Sequence, residues 1–314
     1  MGKKTNLIIG TRSSELALWQ SEYVKQRLNE QHRDIEIILK KVQTKGDKIL
    51  DVALSKIGDK GLFTKELEFE LLNGDIDIAV HSLKDLETAM PDGLKLVAVT
   101  KRHDVEDVLI AREPGMTVEN LRDGAVVATG SLRRKSQLKH LRPDITVVDL
   151  RGNVPTRIKK FLDSNWDAII LARAGVERLG LSKYVSSIIG IDKILPAVGQ
   201  GAIGIQINRD NRLAEEIVKS LHDENTSLAV RAERSLLKSL EGGCQVPIGA
   251  YGRVENNYLH LSAMVGSLDG TTVFKKSKKD QKNDPEKAGE TLAGELLQAG
   301  ADEVLKEIYK NIRK

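Results

Sequence analysis

Five arginines, Arg12, Arg133, Arg134, Arg151 and Arg157, fall at the ends of apolar runs or in the first turns of the helical segments that follow them. A cation in a first turn opposes the helix dipole, so this placement does not stabilise the helices themselves. A guanidinium fork binds a carboxylate or phosphate bidentately, each charged hydrogen bond contributing about 1.5–3 kcal/mol. Several forks in one cleft predict a ligand with several acidic groups. Lys84 and Asp85 follow the run "DIDIAV" and set an acid among those cations. A carboxylate there could stabilise a developing positive charge and move protons; read singly, it is a helix cap or ion-pair partner before it is either of these. The sole cysteine, Cys244 in "LEGGCQVPIGAY", follows two glycines that allow close approach of backbone or ligand. By itself it reads first as a buried, inert thiol.

Other features are assigned structural readings. "GQGAIG" at 199–204 has the spacing G-x-G-x-x-G, but the strand-like "IQIN" follows where a dinucleotide site demands a helix. "KKSKKDQK" at 275–282 reads as a solvated loop beside a hairpin. His81, at a strand end, reads as a hydrogen-bonded structural residue before it reads as a catalytic base.

The elements that must position these residues alternate strand and amphipathic helix, the pattern of a mostly parallel sheet with helices on both faces. "NLIIG" runs into a helix from Ser14 whose stripe Leu16, Trp19, Tyr23, Val24 and Leu28 is expected in the core. "IEIILKKVQT" is a strand, "TKGDKILDVALSKIGDKGLF" a glycine- and lysine-rich lid-like segment, and "TKELEFELLNG" a helix stopped by Gly74 in a left-handed cap. A second series starts near residue 104, with "GAVVATG", "DITVVDLRGN" and "WDAIILARAG" each feeding a helix. The turns "IIGTRSS" and "VVATGSLRR" match in design: strand, Thr, then a Ser that opens a helix. Strand C-termini and helix N-termini are where open α/β sheets bind anions. Beyond residue 220 a helix, hairpin turns near Asn256-Asn257 and Asp269-Gly270, and two further helices read as a small α+β domain.

Bulk properties set limits. The 314 residues carry 49 Lys+Arg against 45 Asp+Glu, a net charge of +4 too small for a chain that coats nucleic acid. No stretch reads as a signal peptide or membrane span, which places the chain in the cytoplasm with no membrane partner. One cysteine and six scattered histidines argue against a metal site.

"TRSSELALWQ", "DIAVHSLKDL", "TGSLRRKSQL", "DLRGNVPTR", "LPAVGQGA" and "LEGGCQVPIGAY" together resemble, in order and over nearly the whole chain, the porphobilinogen deaminase family. The resemblance implies two doubly wound α/β domains like those of periplasmic binding proteins around a hinged cleft, plus the small α+β third domain. Domain 1 would comprise 1–100 and 200–220, domain 2 101–199 and domain 3 221–314, with hinges near 100–104 and 196–200. It implies a dipyrromethane cofactor in thioether linkage to Cys244, and a transferase that joins four porphobilinogen molecules head to tail, releasing ammonia and hydroxymethylbilane. By position Asp85 would be catalytic; Lys84, Ser82, Thr129, Ser131, Arg133 and Arg134 would bind the cofactor. Arg12, Ser14, Arg151, Arg157 and Gln200 would bind substrate or growing chain, Lys56 and Lys60 would sit on a mobile loop, and the protein would be a monomer.

Three positions depart from the family pattern: Asp59 in "IGDKG", Pro155 in "NVPTR", suited to an early helical position, and Arg173 in "LARAG", open between a carboxylate contact and a salt bridge. A rival from another class is a cytoplasmic solute-binding or sensor protein with the same hinged cleft, which needs neither Asp85 nor Cys244. An RNA-binding reading fits poorly, since aromatics make up only 4% of the chain.

Overall fold

The computed structural model describes residues 5–48, 61–242 and 246–312. Lys56, Asp59, Lys60 and Cys244 lie outside them. In chain order come β1 (Thr5–Arg12), α1 (Glu15–Gln31), β2 (Ile35–Val42), the single turn α2 (Lys45–Lys48), α3 (Lys65–Asn73), β3 (Ile78–Ser82) and β4 (Leu94–Val99). There follow β5 (Asp107–Ala111), β6 (Val126–Ala128), α4 (Leu132–Leu141), β7 (Thr146–Val148), α5 (Val154–Leu162), β8 (Ala168–Ala172), α6 (Arg173–Arg178) and β9 (Ser187–Ile189). The chain closes with β10 (Ile203–Asn208), α7 (Arg212–Val218), α8 (Glu224–Ser239), β11 (Ile248–Glu255), β12 (Tyr258–Gly266), β13 (Val273–Gln281), α9 (Pro285–Leu296) and α10 (Asp302–Ile312).

Two compact units result, one from residues 5–48, 61–103 and 202–227, the other from 104–201 with 228–312. The first holds a five-stranded sheet of order β2-β1-β3-β10-β4, the second a sheet of order β7-β6-β8-β5-β9. Both read second, first, third, inserted, fourth. In each, the inserted strand, β10 or β5, runs antiparallel to its neighbours. The parallel strands therefore end on one edge of each sheet, the edge where open α/β sheets place ligands.

Strands buried on both faces explain the continuous apolar runs. In the first sheet Leu7, Ile9, Ile78 and Val80 pack with Val24 and Leu28 of α1 and Ile217 of α7, while Ala79 and Ile76 pack with Leu67 and Leu71 of α3. In the second, Val127 and Ile170 face Leu138 of α4, and Ile169 and Leu171 face Ile158 and Phe161 of α5. The predicted stop at Gly74 is present, with φ 75° and an N–H returning to the Glu70 and Leu71 carbonyls.

Two expectations need correction. The buried face of α1 is Ala17, Gln20, Ser21, Val24 and Leu28. Val24 and Leu28 are in the core as expected; Trp19 and Tyr23 are partly buried against it and stack on each other at 5.5 Å, while Gln20, a polar residue, turns inward to reach β3. "KKSKKDQK" is no loop: residues 273–281 form β13, paired antiparallel to β12 along its whole length. The sheet β11-β12-β13 sets one face on the helices through Leu259, Leu261, Leu236, Leu292 and Leu305. Its first turn places Asn256 and Asn257 both at positive φ, the hairpin geometry asparagine tolerates.

Candidate active site

In the first unit β1 runs to Arg12, whose guanidinium lies 4.1 Å from the centre of the Phe63 ring. Two residues on, the Ser14 hydroxyl accepts the Ala17 N–H at 3.4 Å and caps α1. β3 ends at Ser82, and a 3-10 turn, Leu83–Asp85, follows. Leu83 anchors the turn: its side chain is buried and its N–H donates to the Ala202 carbonyl at 3.0 Å. Ser82 accepts from Gln20 Nε2 at 2.8 Å. Arg12, Ser14, Phe63, Ser82 and Asp85 thereby line one hollow of about 60 Å³. Lys84 is half-buried in the same turn. No hydrogen bond or ion pair among the described residues engages the half-buried Asp85 carboxylate.

His81 also lines this hollow. Its Nε2 lies 2.9 Å from Gln206 Oε1, and Gln206 Nε2 donates to Glu68 Oε1 at 3.2 Å. With the amide so oriented, the imidazole donates through Nε2. Burial, helped by the nearby Arg12 charge, lowers its pKa to about 4, so the ring is neutral. The structural reading of His81 therefore holds.

In the second unit β6 passes through Thr129 and Gly130 to Ser131, whose hydroxyl accepts the Arg134 N–H at 3.5 Å and caps α4. A side chain at Gly130 would meet the Leu150 carbonyl at 2.6 Å and Arg151 Cδ at 3.7 Å, so glycine lets this turn lie against the one carrying Arg151. Arg157 folds back to donate from Nε to the Gly152 carbonyl at 2.7 Å. Partial burial lowers the Arg151 pKa, and Asp149 works against it.

Arg133 and Arg134 point inward, each about one-twentieth exposed. Asp107, fully buried on β5, receives Arg133 Nη2 at 2.8 Å, Arg134 Nη2 at 2.7 Å and Arg134 Nε at 3.1 Å. Arg133 Nη1 also donates to the Leu195 carbonyl and Arg134 Nη1 to that of Ile170. Gln200 Nε2 donates to Asp107 Oδ1 at 2.9 Å and to the Val105 carbonyl at 2.7 Å. Burial alone would raise the Asp107 pKa; the two guanidiniums hold it far below the usual range. Among the described residues two cations against one anion leave the cluster with a surplus positive charge, and Arg133 Nε is buried with no hydrogen-bond partner. A buried surplus of that kind is costly unless an anion lies near, so the donor set suits a carboxylate-bearing group.

Asp107 is the residue of this cluster that the sequence reading does not single out. Its one signal is an acid heading the apolar run "DVLIA", a position that demands a partner once the strand is buried. Phe63 was missed too, although it is one of only four phenylalanines and ends the glycine- and lysine-rich segment. Arg173, left open above, forms salt bridges, to Asp104 at 2.7 Å and Glu177 at 2.8 Å.

Two sheets of matching order, each ending on a charged turn, with an unengaged carboxylate at one and a surplus-positive arginine pair at the other, define an α/β protein that handles acidic ligands. The chain belongs to the porphobilinogen deaminase family: residues 7–245 match the porphobilinogen deaminase dipyrromethane cofactor binding domain and residues 227–298 the porphobilinogen deaminase C-terminal domain. It is 50% identical to a porphobilinogen deaminase of Chloroherpeton thalassium over 309 residues, 97% of this chain and 98% of the relative. A porphobilinogen deaminase of Carboxydothermus hydrogenoformans is 50% identical over 308 residues, 98% of this chain and 99% of its own. Among solved structures, the methionine binding protein MetQ matches with a TM-score of 0.44 at 15% identity, covering 70% of this chain and 89% of its own.

Proposed function

We propose that the protein is a transferase that condenses four porphobilinogen molecules head to tail into hydroxymethylbilane, releasing one ammonia for each, on a dipyrromethane primer held by Cys244. The observation that carries this reading is the unengaged Asp85 carboxylate in a hollow with Arg12 and Ser82. The primer, when bound, would supply the free pyrrole α-carbon to which the first ring is joined, each later ring being joined to the one before it. Asp85 accepts hydrogen bonds from pyrrole N–H groups and stabilises the positive charge that develops as the aminomethyl nitrogen of the substrate departs. One preorganised group of this kind contributes about 10²–10³ in rate.

Arg12, kept in place by the Phe63 ring, binds a substrate carboxylate, and the Ser14 hydroxyl retains acceptor and donor capacity beside its long capping bond. Arg151 and Arg157 bind further carboxylates. Thr129, Ser131, Ser82 and Lys84 hold the primer, with Arg133 and Arg134 acting through their surplus charge, since Asp107 occupies their forks. Gln200 acts on Asp107 and so positions the pair. The reading includes three domains, 1–100 with 200–220, 101–199 and 221–314, in a cytoplasmic monomer with no nucleic-acid or membrane partner. No described helix is long and apolar enough to cross a membrane.

Intact-mass spectrometry tests the proposal directly. The purified chain should carry the mass of a dipyrromethane, gain up to four ring increments on brief exposure to porphobilinogen, and return to the starting mass with ammonia in solution. Cys244→Ser should lack the adduct. A solute-binding protein would show one unmodified mass throughout.

A further inference from the structure

The lysine-rich strand β13 gives the third sheet an open face that the proposed reaction does not use. Strand alternation and register sort its residues. Ser262 and Ser277 pair across β12 and β13 with hydroxyls 2.8 Å apart, so Lys275 and Lys279, two residues either side of Ser277, share their face. Lys276 and Lys278 face the other way, where Lys278 reaches Glu295 of α9 at 3.7 Å. On the open face Arg253, His260 and Lys279 are directly opposite one another across the three strands. Neighbours in such a row have Cβ atoms about 5 Å apart, a spacing one tetrahedral anion bridges. The next row along carries the Ser262 and Ser277 hydroxyls.

Ile191, just after β9, stands beside this face, and Lys275 Nζ donates to the Asp192 carbonyl at 2.9 Å. The resulting groove of about 440 Å³ falls in the range of small-molecule sites. Glu255 approaches Arg253 at 3.5 Å, but both side chains are 56% exposed, a screened pair that a stronger anion displaces. The ring of Tyr258 is covered by Lys279 Nζ at 4.2 Å, so it offers no stacking platform for bases.

We propose that the open face of β11-β12-β13 binds a small phosphorylated metabolite, its phosphate bridging Arg253, His260 and Lys279 and its polar body meeting Ser262 and Ser277. Phosphate accepts from more donors at once than a planar carboxylate does, and this site offers a fork, an ammonium, an imidazole and two hydroxyls within two adjacent rows.

Calorimetric titration of the full-length enzyme with pyrophosphate and with inorganic phosphate, alongside tricarballylate and a uridine oligoribonucleotide, tests the site. Pyrophosphate should bind, and Arg253→Ala with Lys279→Ala should weaken it by at least about tenfold while porphobilinogen consumption stays at the wild-type rate and certifies the fold. Lys276→Ala, which removes one charge from the other face, should leave pyrophosphate binding unchanged. No measurable pyrophosphate binding, equal weakening by Lys276→Ala, or no change in the double variant overturns the proposal. So does tricarballylate binding as tightly as pyrophosphate, or an oligoribonucleotide that pyrophosphate cannot displace.

Discussion

The two five-stranded sheets have one strand order but treat charge at their strand ends in opposite ways. In the first, β1 and β3 deliver Arg12 and Asp85 to a hollow where the carboxylate has no hydrogen bond or ion pair among the described residues. In the second, Asp107 sits inside the sheet and locks Arg133 and Arg134 to itself and to backbone carbonyls. Topology fixes where the edge is, and the side chains decide whether it is a reactive surface or a fixed electrostatic field. A group that takes part in chemistry must exchange partners with substrate, whereas a group that only supplies potential is best held rigid.

The largest effect should come from breaking the rigid side. Asp107→Ala leaves two buried guanidiniums without their anion, a loss of about 3–5 kcal/mol. The melting midpoint should fall by roughly 10 °C. A midpoint within a degree or two of wild type would mean that the arginines find another anion, and would dissolve the contrast between the two edges. Asp85→Asn tests the reactive side. Its carboxylate has no described partner to lose, so the melting midpoint should hold while turnover falls about 10²–10³-fold. Unchanged turnover would remove Asp85 from the chemistry.

The contrast also explains how far the sequence could be read. "TRSS" and "TGSLRR" were legible as matching edges because the signal is local: an apolar run, a buried Thr, then a Ser whose hydroxyl caps the following helix. The Asn256-Asn257 turn and the Gly74 cap were legible for the same reason, each depending on the φ a residue tolerates. Asp107 was not, since its partners lie 26, 27 and 93 positions away and nothing local distinguishes a buried acid from a solvated one. The arginines were found, but not their direction: first-turn placement says that a cation is at the edge, not whether it turns outward to a ligand or inward to a strand. β13 was hidden because lysines occupy both of its faces and erase the period-two alternation. Its pairing with β12 supplies what hydropathy did not.

His81 sharpens the comparison through pH. The folded imidazole stays neutral down to about pH 4, whereas the unfolded one takes its proton near 6.5. Between those values the unfolded chain binds more protons, so stability falls as pH is lowered from 6.5 toward 4, by up to about 3 kcal/mol. His81→Gln cannot take up that proton. The wild-type minus variant stability difference should therefore be flat above pH 7 and decline below it, with Glu68 and Arg12 common to both proteins. A difference independent of pH would show that a protonated His81 is accommodated, and the hollow would then carry a titrating group beside Asp85.

The smallest effect compares the two capping serines. Ser14 and Ser131 hold equivalent places at the heads of α1 and α4, with capping distances of 3.4 and 3.5 Å, at the long end for a hydrogen bond. Replacement by alanine should cost each helix about 0.5–1 kcal/mol, the lower part of the range for a lost N-cap. If capping is all that either hydroxyl does, both variants lose that stability and keep their KM for porphobilinogen. Ser14 lines the hollow with Arg12 and Asp85, so Ser14→Ala should raise KM as well, by a few-fold for one neutral hydrogen bond. Ser131→Ala should leave KM alone and lower the occupancy of the primer seen by intact mass. Identical kinetics in the two variants would mean that the edges differ only in their charged residues, and that the hydroxyls at both are helix caps and nothing more.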